Sequence, residues 1–141
     1  MLVRHVLDRK GHATHSVGPE TIVLDALRHM ADHEVVALLV MQGDRVLGVI
    51  SERDYARKVA LLGRASRDTL ISQIMTAPAV TVSPDDTVDA CMHLVTDRHI
   101  RHLPVLEKGR VVGVLSIGDL VKAILGQQRE TIEQLEAYIR S

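Results

Sequence analysis

Two short motifs place a carboxylate three positions after a hydroxyl, Ser51-x-x-Asp54 and Ser116-x-x-Asp119. Each motif follows an apolar run and opens a predicted helix, whose free N–H groups attract anions. At such a place a carboxylate can accept hydrogen bonds from the vicinal hydroxyls of a ribose, and the serine can bond a phosphate or ribose oxygen. The same spacing is that of a helix-capping box, so the residues by themselves leave nucleotide binding and capping open.

Basic side chains accompany only the first motif. Arg53 and Arg57 lie four positions apart and therefore share a helix face, with Lys58 beside them. They indicate either a phosphate clamp or a solvated basic face. The second motif has Ile117-Gly118 at the corresponding places and offers Arg101-His102 on a predicted strand instead. The two sites are therefore expected to bind ligand differently.

Two histidine pairs have the spacing of metal ligands: His29 and His33 are four apart on a predicted helix, and His99 and His102 are three apart. Neither pair has a third ligand near it in the sequence, so no metal site is predicted. Cys91 lies on the apolar face of a predicted helix, which favours a buried and unreactive thiol. No catalytic residue is predicted, because spacing singles out neither a Gly-rich phosphate loop nor a Ser-His-Asp arrangement.

An internal repeat places the two motifs on equivalent elements. Residues 45–54 return 65 positions later as residues 110–119, with Arg, Gly, Ser and Asp in register. Upstream of each segment, apolar residues recur every three to four positions, which indicates an amphipathic helix. A short apolar run and a turn follow, as in a β-hairpin. With a short strand at 14–17 or 79–82, each copy has the order β-α-β-β-α.

The predicted fold class is α/β of the α+β type, with two repeats packed sheet to sheet about a pseudo-twofold axis. Neither copy buries much surface by itself, which is why the two are expected to pack together. A C-terminal amphipathic helix is predicted to cover the body or, as we favour, a second subunit in a homodimer. The boundaries are 1–9 for an N-terminal segment, 10–70 for repeat 1, 71–126 for repeat 2 and 127–141 for the C-terminal helix.

Composition narrows the possible functions. Apolar residues make up 46% of the 141 residues, but Phe and Trp are absent, so few aromatic platforms exist for stacking bases. The 17 basic and 18 acidic residues give a net charge of −1, which provides no strong field toward DNA or a membrane. The single cysteine fits a reducing compartment. Neither a signal peptide nor an apolar run long enough to span a bilayer is found, so a cytoplasmic location is predicted.

The repeated pattern resembles a known family. Val17-x-Pro19, Asp25-Ala26 and Gly48-Val49-Ile50-Ser51-x-x-Asp54, with their second copies, resemble the CBS domain, and two in tandem resemble a Bateman module. The resemblance covers residues 10–126. It implies a cleft for each repeat, with adenine between apolar backbone segments, ribose on an Asp, and phosphates near a Ser or Thr and basic side chains. It also implies binding of AMP, ADP, ATP, NAD or S-adenosylmethionine, and flat homodimers.

From this resemblance we expect a non-catalytic regulatory module that binds an adenine nucleotide (AMP, ADP, ATP or NAD), without a catalytic cofactor, and modulates a partner enzyme. The alternatives are a nucleic-acid binder that uses the basic strip at 53–58 and a small enzyme. Nucleic acid is not the expected partner. The residues expected to contact the nucleotide are His15, Val17, Val35, Val36, Ala37, Ser51, Arg53, Asp54, Val80, Ile100, Arg101, His102, Pro104, Ser116 and Asp119.

Overall fold

The computed structural model describes residues 1–140, and its elements follow the repeat. The helices are α1 (Val3–Lys10), α2 (Val23–His33), α3 (Glu52–Tyr55), α4 (Val88–Arg98) and α5 (Ile117–Arg140). The strands are β1 (Ser16–Val17), β2 (Ala37–Gln42), β3 (Arg45–Ser51), β4 (His102–Glu107) and β5 (Arg110–Ser116). A π-helical turn, Ala56–Ala60, continues α3, and a 3-10 turn covers Ile71–Gln73.

Each repeat is built on an antiparallel hairpin. β2 pairs with β3 and β4 with β5, in matching registers that place Ala37 opposite Ser51 and His102 opposite Ser116. Both hairpins also have a bulge at the equivalent position. The prediction of a mixed α/β fold made of two repeats is confirmed.

The first strand of each repeat differs between the copies. In repeat 1, β1 runs parallel to β2, and Leu39 N donates to His15 O at 3.0 Å. The strand predicted at 79–82 is reduced to a single parallel bridge between Val82 and Val105. Pro104 stands 65 positions after Leu39 and has no N–H to donate, so the equivalent hydrogen bond cannot form.

The two hydrophobic cores are completed by exchanged segments. The core of repeat 2 includes Val3, Val6 and Leu7 of α1, although α1 precedes repeat 1 in the sequence. The core of repeat 1 includes Ile71 and Ile74, which lie just before repeat 2 in the fold and after the boundary expected at residue 70. Each repeat thus packs around the segment that precedes the other, and this exchange ties the two halves together.

One glycine in each hairpin makes room for the exchanged segment. A Cβ on Gly48 would lie 2.6 Å from the backbone O of Thr76, and a Cβ on Gly113 would lie 2.6 Å from Cδ2 of Leu7. Val49 and Thr76 also exchange two backbone hydrogen bonds of 2.9 and 3.0 Å. The glycine repeated at this place in the sequence is therefore explained by close approach of another segment.

The helix predicted at the end of repeat 2 and the C-terminal helix are one continuous helix, α5. Its first turns pack in the core of repeat 2, whereas its second half exposes Ile132, Leu135 and Ile139 by 55%, 57% and 81%. Ser141, the last residue of the predicted helix, lies outside the described residues. No helix within residues 1–140 has the length and apolar character to cross a membrane.

Candidate functional site

Two clefts lie between the repeats, and each takes its walls from both. The first, which we call the Asp54 cleft, joins the start of α3 to the segment that enters β4, and its volume is about 320 Å³. Its lining residues are Val49, Ser51, Arg53, Asp54, Arg57, Lys58, Thr76, Pro78, Ala79, Val80, Arg98, His99, Ile100, Arg101 and His102.

Asp54 forms a capping box and also faces its cleft. Its Oδ2 accepts hydrogen bonds from the backbone N and the Oγ of Ser51, both at 3.0 Å. Its Oδ1 is 3.2 Å from both Thr76 Oγ1 and Lys58 Nζ, which donate to it. The Lys58 side chain is 41% exposed, so its contact with Oδ1 is open to solvent. Oδ1 is therefore the carboxylate oxygen that an added hydroxyl donor could reach, whereas Oδ2 serves the cap.

The Asp54 cleft is strongly basic. Five of its lining side chains are Lys or Arg, and Asp54 is its one acidic side chain. Arg57 lowers the pKa of the Arg53 guanidinium most, followed by desolvation and by Arg101, and Asp54 offsets this in part. Guanidinium groups from both repeats therefore repel one another across the cleft. An anion of more than one charge would relieve this repulsion and accept hydrogen bonds from several donors.

The π-helical turn Ala56–Ala60 directly follows the capping box. π-helical turns are rare and are frequent at functional sites. Here the turn presents both Arg57 and Lys58 to the cleft. Lys58 Nζ also donates to the carbonyl O of Ile74 at 2.9 Å, which anchors the turn to the exchanged segment.

The second cleft, which we call the Ser116 cleft, has a volume of about 380 Å³ and is mainly apolar. It joins the start of α5 to the segment that enters β2. Its lining residues are Lys10, Ala13, Thr14, His15, Glu34, Val35, Val36, Ala37, Leu38, Leu39, Val49, His102, Val114 and Ser116.

Lys10 separates Asp119 from the Ser116 cleft. Its Nζ donates to Asp119 Oδ2 at 2.7 Å and to Val114 O at 2.6 Å. Asp119 also caps its helix, because Ser116 N donates to Oδ2 at 2.8 Å. Burial by itself raises the pKa of Asp119, but the hydrogen bonds from Lys10 and Ser116 outweigh it and leave the pKa below its ordinary value. The carboxylate is thus held ionised and already paired.

His102 lines both clefts and lies between their acids. Burial lowers the pKa of its imidazole most, and the charges of Lys10 and Arg101 lower it further, against the opposite effect of Asp119 and Asp54. The ring is therefore kept neutral near pH 7 and can both donate and accept a hydrogen bond.

The clefts bring together most of the residues that the sequence singled out, but they combine them across the repeats. Arg101 lies with Asp54 and not with Asp119, because each cleft joins the helix start of one repeat to the strand entry of the other. The residues in the Asp54 cleft are Ser51, Arg53, Asp54, Val80, Ile100, Arg101 and His102. Those in the Ser116 cleft are His15, Val35, Val36, Ala37, His102 and Ser116.

Three of the expected contact residues do not line either cleft. Val17 packs against the core of repeat 1. Pro104 is buried in β4, where its carbonyl accepts a hydrogen bond from Val82 N at 3.1 Å. Asp119 lies behind Lys10 and borders a separate cavity with Lys122.

Sequence reasoning missed the two side chains that hold the acids, Lys10 and Thr76. They belong to the exchanged segments and lie 109 and 22 positions from the acids they contact, so no local pattern links them. The repeat contained a signal, however, because an offset of 65 places Thr76 opposite Gly11, the neighbour of Lys10.

The fold defines a tandem α/β module with two clefts between its repeats. A family model described as "CBS domain" matches residues 6–61 and 71–126. The chain therefore belongs to the CBS-domain family, as a tandem pair, and the resemblance inferred from the sequence is confirmed.

Relatives of known sequence support this assignment. The chain is 42% identical over 123 residues to the CBS domain-containing protein CBSX3, mitochondrial, of Arabidopsis thaliana. The match covers 84% of this chain and spans 60% of that relative's length. The name of this relative places it in mitochondria, so the cytoplasmic location of the present chain stays a prediction.

Solved structures show the same fold. A putative signal-transduction protein with CBS domains from Burkholderia ambifaria is 42% identical, with a TM-score of 0.85, over 91% of this chain and 96% of that one. A CBS-domain-containing protein of Agrobacterium tumefaciens is 38% identical, with a TM-score of 0.82, over 87% and 98%. The CBS domain pair of MJ0100, solved with 5′-methylthioadenosine and S-adenosyl-L-methionine, has a TM-score of 0.78 at 22% identity, over 90% and 98%. This last likeness supports the fold alone.

Proposed function

We propose that this chain is a non-catalytic regulatory module that binds an adenine nucleotide of the AMP, ADP, ATP or NAD type, with the Asp54 cleft as its principal site. The observation that carries the proposal is the meeting of basic groups from both repeats around one carboxylate. Arg53 and Arg57 come from repeat 1, and Arg98 and Arg101 come from repeat 2. Phosphate matches this arrangement because guanidinium groups bind it with paired, charge-assisted hydrogen bonds.

The remaining lining fits the rest of a nucleotide. Val49, Pro78, Val80 and Ile100 offer apolar surface for an adenine ring, and the volume of about 320 Å³ falls within the usual range of small-molecule sites. The ribose hydroxyls would bind Asp54 Oδ1 in place of Thr76 and Lys58. Lys58, once released from both Asp54 and the carbonyl O of Ile74, would be free to reach a phosphate.

Charge favours phosphates over a sulfonium ligand. The structural neighbour MJ0100 was solved with S-adenosyl-L-methionine and 5′-methylthioadenosine. In this chain the excess positive charge of the Asp54 cleft would repel a sulfonium, whereas it attracts a di- or triphosphate. We therefore expect binding to strengthen in the order AMP, ADP, ATP, and S-adenosylmethionine to bind weakly.

The Ser116 cleft is expected to bind nucleotide less well. Its walls are mainly apolar, and the carboxylate of Asp119 is occupied by Lys10. A neutral adenosine moiety suits this cleft better than a polyphosphate does.

The basic strip lies in a concave cleft, which suits a small ligand better than a nucleic acid. Arg53, Arg57 and Lys58 line the same cavity as Arg101, so their charges point at one compact site. Nucleic-acid binding would instead require a continuous basic face that follows a backbone.

Isothermal titration calorimetry of the purified chain with ATP, AMP, NAD and S-adenosylmethionine measures the dissociation constants that test the proposal. Arg101→Ala should weaken ATP binding at least about tenfold, because loss of a charge-assisted hydrogen bond costs about 1.5–3 kcal/mol. The matched control is Arg45→Ala, at the opposite end of β3 from Ser51, which should leave affinity unchanged. The proposal fails if no nucleotide binds, if both variants lose affinity equally, or if the protein hydrolyses ATP or NAD.

Regulation requires that the bound ligand alter a second chain. A ligand biases an assembly only through its different affinity for two arrangements. The exposed apolar stripe on α5 is the surface we assign to a homodimer, with Ile132, Leu135 and Ile139 as its centre. A partner enzyme would then sense which arrangement the dimer adopts.

A further inference from the structure

Three imidazole rings meet at a place that is separate from the Asp54 cleft. His29 and His33 lie on one face of α2, and His15 comes from the residue just before β1. The ring of His33 stacks on that of His15, with centroids 4.2 Å apart, and its centroid is 4.5 Å from that of His29. Packing of β1 beside β2 and of α2 against β2 thus supplies the third histidine that the sequence did not place there.

The rings lie close enough together for one metal ion to be held between them. One ring nitrogen from each histidine lies within 4.8 Å of the other two. Tetrahedral zinc with nitrogen ligands at about 2.0–2.1 Å requires about 3.3 Å between the nitrogens, so the side chains would have to rotate to bring the nitrogens together and to unstack His33 from His15. The three rings contact one another.

We propose that His15, His29 and His33 bind one divalent transition metal ion of the zinc class. Imidazole is the preferred ligand of zinc, copper and nickel, whereas calcium and magnesium require oxygen ligands. Three protein ligands leave the fourth position of a tetrahedral ion open. Because His15 also lines the Ser116 cleft, an ion here would fix one wall of that cleft.

The second repeat provides an internal control. His93 corresponds to His29 at an offset of 64, but Asp97 stands in place of His33 at the same offset, and Val80 stands 65 positions after His15. Repeat 2 therefore has the same helix and a histidine at the same helix position without the other two ligands. His93 is exposed, so its replacement should not affect folding.

The test titrates Zn²⁺, in competition with a chromogenic chelator, and Co²⁺, by visible absorption, into the tag-free full chain without nucleotide. We expect one ion per chain and the absorption of tetrahedral Co²⁺. His29→Ala and His33→Ala should each weaken Zn²⁺ binding by more than about tenfold, the lower end of the loss seen for outer-shell partners. His93→Ala should bind as the wild type does.

Thermal unfolding of the metal-free variants separates loss of a ligand from loss of folding. His33 is exposed, so His33→Ala should keep the metal-free melting temperature of the wild type. The proposal is overturned if the wild type binds no Zn²⁺, if the double variant His29→Ala/His33→Ala retains its stoichiometry, or if His93→Ala loses as much affinity as His33→Ala. Since no nucleotide is present, the result is independent of the function proposed above.

Discussion

The ammonium group of Lys10 lies 2.7 Å from Asp119 Oδ2, on the acid equivalent to the one that Thr76 contacts at 3.2 Å in the other cleft. Both contacts come from the exchanged segments. Asp54 is thus held by the hydroxyl of Thr76 and by Lys58, which also bonds Ile74 O, whereas Asp119 is held by Lys10, which also bonds Val114 O. The acids therefore differ in the hydroxyl of Thr76, and the clefts differ further in the four arginines that line only the Asp54 cleft.

Removal of the ion pair between Lys10 and Asp119 should make the free energy of unfolding less dependent on pH in the acid range. The pKa of Asp119 is lowered in the folded state, so the pairing stabilises above the ordinary carboxyl pKa of about 3.9 and is lost as pH falls through the folded value. Lys10→Ala should therefore cost about 1 kcal/mol at pH 7 and progressively less below about pH 4. Urea unfolding across this pH range measures the difference.

Lys122→Ala is the matched control, since Lys122 borders the same cavity as Asp119 and is exposed. It should change stability little at any pH. A cost for Lys10→Ala that stayed constant down to pH 3 would assign its role to packing and to the Val114 carbonyl.

The same substitution should change the number of nucleotides bound. Without Lys10, the Asp119 carboxylate would become available to ribose hydroxyls in the Ser116 cleft. We expect titration of Lys10→Ala with AMP to reveal a second site that the wild type lacks or binds more weakly. Asp119→Asn added to Lys10→Ala should remove this gain; a second site that persists would show that the acid does not hold the ribose.

Local patterns in the sequence predicted the repeats and the capping boxes. Both depend on spacings of a few residues, such as Ser51 to Asp54, and on alternations that set the hairpins. The loss of strand pairing near Val80 could also be predicted from the sequence, because Pro104 cannot donate the required hydrogen bond. What could not be predicted is which repeat each flanking segment would join.

Long-range exchange is the physical reason for that limit. α1 and the segment at 71–75 each supply a few apolar side chains to a core, and their local sequence patterns do not indicate which repeat receives them. Once exchanged, they bring Lys10 to Asp119 and Thr76 to Asp54. The grouping of Arg101 with Asp54 and of three histidines around β1 likewise depends on tertiary contacts alone.

The two hairpin glycines should differ in their tolerance of alanine. The added Cβ of Gly48→Ala would meet the backbone O of Thr76, which cannot move without breaking its hydrogen bonds to Val49. That of Gly113→Ala would meet the flexible end of Leu7. We expect a loss of about 1–3 kcal/mol for Gly48→Ala and a smaller loss for Gly113→Ala by chemical denaturation.

Gly126→Ala is the control for this pair. Gly126 lies within α5, and its added Cβ would have no neighbour within 4 Å beyond its adjacent residues and the backbone of its own helix. Alanine is the better helix former, so this variant should gain up to about 1 kcal/mol. Equal losses at Gly48 and Gly113 would contradict the distinction between backbone and side-chain neighbours.

Cys91 should be unreactive in the folded protein. Its side chain is fully buried, and burial, with a smaller contribution from Asp86, raises the pKa of its thiol to about 11. Since the thiolate is the nucleophile, a disulfide reagent at pH 8 should label the native chain only as fast as it unfolds. The chain in concentrated urea is the positive control, and equal labelling rates in the two conditions would contradict burial of the thiol.

The C-terminal half of α5 should hold two chains together. Ile132, Leu135 and Ile139 are 55%, 57% and 81% exposed, and burial of the exposed part of Leu135 could contribute about 1–2 kcal/mol per chain. Leu135→Lys should therefore raise the dimer dissociation constant by at least about tenfold, as measured by sedimentation equilibrium. Gln134→Lys adds the same charge at the preceding position without removing an apolar contact, so it should leave the dimer intact. A monomeric wild type, or a dimer that Leu135→Lys leaves unchanged, would mean that this stripe binds something other than a second copy of the chain.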